Sequence, residues 1–246
     1  MLSRNDRGRA QTERNRTGQV RGHVGRDVGD QPYIMDLVLH EHFLGGIDGT
    51  KFVESGKVGT ANAIGSALGT YMALVTGATA NSTVVADTGA VSKLLGFQRD
   101  ANLRARIIIT TTIDGNSRLF VGLATSQALA TVADGMFIGV DGSVSTTYFV
   151  AVCRDGGIAT TKVLDGSGGT TAAAIDTARH EVAIVCDSMN AQVRFYFDRA
   201  LSATITTDLP DDASDFVVPH FSAQNGASAV DRRLLCDVIV LAEAAP

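Results

Sequence analysis

The stretch His180–Thr206, which reads HEVAIVCDSMNAQVRFYFDRALSATIT, decides the fold. Its apolar side chains alternate with other residues on both sides of a polar loop, namely Val182, Ile184 and Cys186 before it and Val193, Phe195 and Phe197 after it. A period of two places each apolar set on one face of a strand, where a second layer has to cover it. The polar loop 187–192 is short enough to join antiparallel neighbours. The stretch therefore predicts a hairpin in a two-layer β protein.

The same alternation recurs along most of the chain, with turn residues between the apolar runs. Asp155-Gly156-Gly157 separates the runs 147–154 and 158–164 and predicts a second hairpin. Asp114-Gly115 predicts a turn before a strand at 119–124. The run 234–241 is apolar on both faces and predicts a strand covered on both sides. Because helical stretches for parallel crossovers are lacking, we predict an all-β, antiparallel two-sheet sandwich.

The first 32 residues differ from the rest of the chain in charge and hydropathy. They hold seven arginines, four acidic residues and almost no apolar side chains, which gives +3 in a chain whose net charge is −5. Such a segment cannot build a core of its own. We therefore predict an extended N-terminal arm over residues 1–37, followed by a sandwich domain over residues 38–246. A disordered leader is the alternative that composition leaves open.

The arm is the candidate binding segment. Guanidinium groups pair bidentately with carboxylates, so we predict that the arm contacts a protein partner. The predicted contacts are Arg4, Arg7, Arg9, Arg14, Arg16, Arg21, Arg26 and Tyr33. The apolar run 33–39 could dock against the body or against a neighbouring chain. Acidic residues among the arginines, and the lack of aromatic residues for stacking, argue against nucleic acid as the partner.

The three cysteines, Cys153, Cys186 and Cys236, each lie inside an apolar strand pattern. Their odd number and their positions predict reduced core residues rather than a disulfide framework. The sequence shows neither a secretory leader pattern nor an apolar run long enough to span a bilayer. We therefore expect a soluble protein that is made in a cytoplasm and has no membrane partner.

Motifs for catalysis, cofactors and metals are absent from the sequence. There is no GxSxG or GxGxxG, and no two glutamates share a strand face at the spacing that glycoside hydrolysis needs. His40 and His42 share a strand face but lack a third ligand, and Asp211, Asp212 and Asp215 lack the other oxygen ligands of a calcium site. We therefore predict no catalytic residues, no cofactor and no metal.

Several segments together carry a resemblance to a known fold family. They are LRARIII…RLFVGLA, DGMFIGVDG…YFVAVCRDGG, HEVAIVCD…QVRFYFDR, TTDLP and LLCDVIVL. In pattern and order they resemble the concanavalin A-like jelly rolls of lectins and glucanases, and more closely the version found in structural proteins of tailed bacteriophages. The resemblance covers residues 40–244 and implies two curved antiparallel sheets stacked as a jelly roll. Enzymes of that family carry a strand motif of two Glu and one Asp, which this chain lacks.

The resemblance implies a virion component that is assembled in the host cytoplasm. We therefore expect a non-enzymatic capsid decoration or cement protein on the capsid surface. Its arm would anchor it to the major capsid protein or to sister subunits, with a homotrimer expected by analogy. The alternative is a lectin-like module of a phage tail or fibre that binds a surface glycan. Tyr196, which points away from the core in the alternation, is then the best sugar platform, although cross-strand packing is its simpler role.

Overall fold

The computed structural model describes side chains over residues 72–86, 96–125, 132–212 and 217–236, and beyond these ranges only the backbone of the strands. In these parts of the chain the strands are β1 (Glu13–Arg14), β2 (Val20–Arg21), β3 (Met35–His42), β4 (Val53–Val58), β5 (Ala63–Ala67), β6 (Tyr71–Val75), β7 (Thr83–Asp87), β8 (Asn102–Ile109), β9 (Arg118–Ala124), β10 (Gly135–Asp141), β11 (Val150–Asp155), β12 (Ile158–Val163), β13 (Arg179–Asp187), β14 (Gln192–Phe197), β15 (Ala200–Ile205), β16 (Val218–Gln224) and β17 (Arg233–Ala244). Two short 3-10 turns span Phe97–Arg99 and Ser167–Gly169. Within the described residues no helix is long and apolar enough to cross a membrane.

The described strands form two large antiparallel sheets that stack on each other. The seven-stranded sheet has the order β12-β11-β10-β9-β16-β7-β4. The eight-stranded sheet has the order β15-β14-β13-β8-β17-β6-β5, and β3 adds to it by pairing with β17. Strands β1 and β2 pair only with each other. The predicted all-β, antiparallel two-sheet jelly-roll sandwich is confirmed.

The hairpin predicted from the alternating stretch is β13–β14. Its register places Ile184 opposite Phe195 and Cys186 opposite Val193, so the apolar side chains share one face as expected. That face is buried against the seven-stranded sheet. The second predicted hairpin is β11–β12, which closes with Asp155 opposite Ile158.

The turn at Asp114-Gly115 lies where the chain passes between the two sheets. It precedes strand β9 as predicted, but β8 belongs to the eight-stranded sheet and β9 to the seven-stranded sheet. The chain therefore crosses from one layer to the other here instead of forming a hairpin. Turn residues determine the local bend and leave open which sheet the next strand joins.

The core lies between the two sheets and is built from alternate residues of each strand. Strand β8 contributes Leu103, Ala105, Ile107 and Ile109, and strand β10 of the other sheet contributes Met136, Ile138 and Val140. Cys153, Cys186 and Cys236 are buried free thiols, which confirms them as core residues. Burial raises the pKa of the Cys153 and Cys186 thiols, which keeps both groups protonated and unreactive.

A second apolar cluster lies on the outer face of the seven-stranded sheet. Phe120 and Phe137 belong to it, and each faces a glycine across the β9–β10 pair: Phe120 opposite Gly139 and Phe137 opposite Gly122. A Cβ at either glycine would collide with backbone and with the opposing phenyl ring. The two glycines therefore make room for aromatic rings that lie across the sheet.

An ion pair between a buried arginine and a half-exposed aspartate connects three loops at the end of the sandwich. Arg232, whose side chain is 1% exposed, donates hydrogen bonds to the Thr112 carbonyl and to the Asp114 carboxylate. Its backbone N–H donates to Thr76 Oγ1 at 2.8 Å. Desolvation opposes ionisation of Asp114, but the hydrogen bond from the Asn116 N–H and the charge of Arg232 outweigh it and hold the pKa of Asp114 below its ordinary 3.8.

The predicted arm lies largely outside the described residues. Arg14 and Arg21 fall in the backbone pair β1–β2, while the side chains of all eight predicted partner contacts lie outside the description. The apolar run 33–39 continues into β3, which pairs with β17 of the same chain over Met35–His42. The part of this run that lies in β3 therefore docks against the body, one of its two predicted alternatives.

Candidate functional site

A polar depression opens where β13 begins and the β14–β15 hairpin turns. Its volume is about 240 Å³. The lining residues are Arg106, Arg179, His180, Glu181, Asp198 and Arg199. Arg106 lies on the outer face of the eight-stranded sheet because it alternates with the core residues Ala105 and Ile107. The depression is therefore reached from outside the sandwich.

Glu181 is held in place by arginines. Its Oε1 accepts a hydrogen bond from Arg104 Nε at 2.7 Å and lies 3.5 Å from Arg199 Nε. Arg106 is its register neighbour across the β8–β13 pair. Among the residues that the structure describes, however, Arg106 makes no hydrogen bond or ion pair, so its guanidinium remains available at the wall of the depression.

His180 is held between two aspartates. Its Nδ1 lies 2.8 Å from Asp198 Oδ2 and its Nε2 lies 2.8 Å from Asp176 Oδ1. Burial opposes a charge on the ring, but the hydrogen bonds to Asp198 and Asp176 outweigh it and raise the pKa of His180 above 6.5. The bond from His180 in turn lowers the pKa of Asp176. Only the imidazolium can donate to both carboxylates at once, so this arrangement favours the protonated ring.

The turn Asp198-Arg199 closes the depression on the side of the β14–β15 hairpin. Both residues have positive φ, 48° and 70°, as a two-residue hairpin turn of the mirror-image type requires. Asp198 fastens the turn to β13, because its N–H donates to the Glu181 carbonyl at 2.7 Å and its Oδ1 accepts from the Glu181 N–H at 2.9 Å. Arg199 occupies a backbone conformation that favours glycine, at a cost of about 1 kcal/mol.

The site was not found from the sequence, although part of the signal was present. Extending the β13–β14 register by one residue places Asp198 opposite Glu181. Asp176, four residues before His180, then adds the second carboxylate that contacts the histidine. Of the residues that were predicted, Tyr196 does face outward. It is partly buried opposite Ala183 and does not line the depression.

The metal candidates do not form a site within the described residues. There, no group of three or more His, Cys, Asp or Glu side chains is placed to hold a metal ion. Asp211 and Asp212 belong to the described part of the chain, whereas the side chains of Asp215, His40 and His42 lie outside it. His220 is fully buried, with its ring centroid 5.5 Å from that of Phe137.

Known proteins match this chain in fold and not in sequence. No protein-family model matches it, and no curated protein matches it. Among solved structures, a β-1,3-glucanase from Mycobacterium marinum superposes with a TM-score of 0.58 at 12% identity, over 86% of this chain and 99% of that chain. The fold is the concanavalin A-like jelly roll. The carbohydrate recognition domain of Emp46p in its potassium-bound form matches with a TM-score of 0.55 at 10% identity, over 84% of this chain and 96% of that one.

A third match comes from a bacteriophage. The carbohydrate esterase vb_24B_21 of the Shiga toxin-encoding bacteriophage phi24B has a TM-score of 0.50 at 13% identity, over 86% of this chain and 100% of that chain. At these identities the matches establish the jelly roll and leave the activity of this chain to be argued from its site.

These matches correct two predictions. The expected capsid decoration protein is contradicted, because the structural neighbours are glucanases, glycosyl hydrolases and a carbohydrate recognition domain rather than capsid proteins. The expectation of a non-enzymatic protein is contradicted as well, because several neighbours are glucanases or glycosyl hydrolases. The physical reason is that a missing linear motif does not exclude a pair of acidic residues that the fold brings together. Glu181 and Asp198 are 17 residues apart in the sequence, too far for such a motif, yet the strand register places them side by side.

Proposed function

We propose that this jelly roll is a carbohydrate-binding module and that its polar depression holds a sugar residue. The observation that carries the proposal is the convergence of Arg106, Arg179 and Arg199 with Glu181 and Asp198 in one opening of about 240 Å³. Clefts for drug-sized ligands usually measure about 300–1,000 Å³. A depression of this size therefore suits one sugar ring of a longer chain, whose remaining residues would lie outside it.

The lining matches the hydrogen-bonding chemistry of a sugar. Each sugar hydroxyl both donates and accepts, whereas a guanidinium only donates and an ionised carboxylate only accepts. Arginines beside a glutamate and an aspartate therefore provide both kinds of partner within one opening. The groups are also held in place before a ligand arrives, since Glu181 is fixed by Arg104 and Asp198 by His180. Preorganisation of this kind lowers the entropic cost of binding.

A phage tail or fibre is the setting that we propose for this module. The support is the match to a phage carbohydrate esterase together with the bacteriophage resemblance of the sequence itself. The glycans to test first are therefore polysaccharides from bacterial surfaces. If the protein binds eukaryotic glycans and no bacterial polysaccharide, the phage setting is wrong and the proposal of a carbohydrate-binding module stands.

The decisive experiment measures binding and hydrolysis on the same samples. The full chain is applied to a glycan array, the best saccharide is then titrated by calorimetry, and released reducing ends are assayed in parallel. We expect saturable binding that Arg106→Ala weakens and that Arg118→Ala leaves unchanged, since Arg118 lies on the seven-stranded sheet. Reducing ends that depend on Glu181 or Asp198 would show that the same site hydrolyses its ligand. Absence of binding to every saccharide class would refute the proposal.

A further inference from the structure

We propose that the saccharide carries a negative charge and that Arg106 and Arg199 form the subsite for its anionic group. The shared chemistry is an oxyanion on a sugar ring, either the carboxylate of a uronic acid or a sulfate ester. The inference rests on the proposed carbohydrate-binding function and specifies its ligand.

The surface around the depression is cationic on an otherwise acidic protein. Strands β8, β13 and β14 and the β14–β15 turn present five arginines and three acidic residues on this face among the residues that the structure describes. The arginines are Arg104, Arg106, Arg179, Arg194 and Arg199, and the acidic residues are Glu181, Asp187 and Asp198. Asp176, which precedes β13 and binds His180, adds one more carboxylate beside this face and leaves the arginines in excess. The chain as a whole carries −5. A local excess of positive charge on such a background attracts anionic ligands.

The acidic residues of this face already have partners. Asp198 uses both oxygens, one for the Glu181 N–H and the other for His180. Asp187 accepts hydrogen bonds from Asn190 and Gln192 inside the β13–β14 loop. Glu181 is hydrogen-bonded to Arg104. Arg104 and Arg199 both approach Oε1 of Glu181, and none of these three carboxylates accepts a hydrogen bond from Arg106.

Arg106 is the arginine that lacks an acceptor among the described residues. It is partly buried, and no described residue hydrogen-bonds or ion-pairs with it even though Glu181 is its register neighbour. Its guanidinium nitrogens are not among the fully buried nitrogens that lack a hydrogen-bond partner, so they reach the surface of the depression. A carboxylate or sulfate in the depression would supply an acceptor for them. The planar guanidinium forms two parallel hydrogen bonds to either group.

Arg199 gives independent support through its backbone. Its φ of 70° lies in the left-handed region, where the second position of a two-residue hairpin turn favours glycine. Its side chain is 67% exposed and only 3.5 Å from Glu181, a contact that adds little to stability. The strain is therefore not offset by a strong interaction within the protein. Strained residues with exposed functional groups concentrate at binding sites, which fits contact of this side chain with a ligand.

The test compares acidic and neutral probes on the full chain by calorimetry. The probes are tetragalacturonate, a sulfated dextran oligosaccharide and neutral laminarihexaose. We expect one acidic probe to bind about tenfold or more tightly than the neutral one, with a preference that falls as salt is raised. Arg106→Gln should reduce acidic-probe affinity by about tenfold to one-hundredfold, the range for loss of a charge-assisted hydrogen bond. The acidic probe that binds identifies the source of the oxyanion.

Arg199→Gly separates a ligand role from a structural one. Glycine relieves the turn, so the denaturation midpoint should stay the same or rise, while acidic-probe affinity falls. Arg118→Gln, on the other sheet, is the matched control and should bind like wild type. Unchanged acidic-probe affinity in Arg199→Gly would overturn the assignment of Arg199.

Two further outcomes separate this inference from the function on which it rests. Equal binding of neutral and acidic probes, reduced alike by Arg106→Gln, would overturn the anionic ligand and leave sugar binding intact. Absence of binding to every probe and every arrayed saccharide would overturn both proposals.

Discussion

Removing the negative charge of Asp114 should destabilise the protein more than removing the whole charged group of Arg232. The pair is asymmetric, because Arg232 is 1% exposed and Asp114 is 41% exposed. Asp114→Asn leaves a buried guanidinium without its counter-ion. Arg232→Met leaves a carboxylate that water reaches. The side chain at position 114 keeps its hydrogen bond to the Asn116 N–H in the Asn variant, but the oxygen that accepts from Arg232 becomes an NH2 group, which can only donate.

The expected magnitudes follow from this asymmetry. An uncompensated buried charge costs about 3–5 kcal/mol of unfolding free energy. Arg232→Met mainly leaves the Thr112 carbonyl without its donor, which costs about 1–3 kcal/mol. Once the guanidinium is gone, the charge at position 114 has no buried partner. The double variant should therefore match Arg232→Met to within about 0.5 kcal/mol.

Urea denaturation of wild type, Asp114→Asn, Arg232→Met and the double variant that carries both substitutions measures these differences directly. For a chain of this size each kcal/mol also shifts the melting temperature by about 2–4 °C. Because the folded pKa of Asp114 is depressed, its contribution is present above its ordinary pKa of 3.8 and is lost as pH falls through the folded value. Equal destabilisation by the two single variants, or a larger loss for Arg232→Met, would refute the reasoning.

Two other predictions test the hydrogen-bonded histidine and the Phe–Gly pairs. The folded pKa of His180 is raised, so its stabilising contribution is full below 6.5 and is lost as pH rises through the folded value. The stability gap between wild type and His180→Phe should therefore shrink between about pH 5 and about pH 8, and a gap independent of pH would contradict this. Gly139→Ala should cost about 1–3 kcal/mol, because its Cβ would collide with the Leu119 carbonyl. Gly115→Ala, with open space around it, is the control and should stay within about 0.5 kcal/mol of wild type; equal midpoints for the two would exclude the collision.

The sequence predicts those parts of the fold that depend on local pattern. The β13–β14 hairpin follows from alternation, because a half-buried strand shows its period of two directly in the residues. Pairing between distant strands leaves no such trace. The sheet order and the crossing from β8 to β9 at Asp114-Gly115 are therefore visible only in the structure.

The candidate site was missed because its members are spread over three elements. Asp176 precedes β13, Glu181 lies within it and Asp198 belongs to the next hairpin turn. A search for linear motifs tests spacing along the chain, whereas these groups meet through strand register. The prediction of a non-enzymatic capsid protein was wrong for a related reason. It depended on the basic arm and the missing linear motif, whereas the polar groups of the candidate site lie on the outer face of the sandwich.

The position of β17 has a consequence for biogenesis. It is the last of the described strands in the chain, yet it sits in the interior of the eight-stranded sheet between β8 and β6. In a nascent polypeptide that sheet stays split into two unconnected pieces until β17 leaves the ribosome. Folding that depends on such long-range closure is slow. Exposed strand edges would persist during translation, and unpaired edges of this kind favour aggregation of the nascent chain.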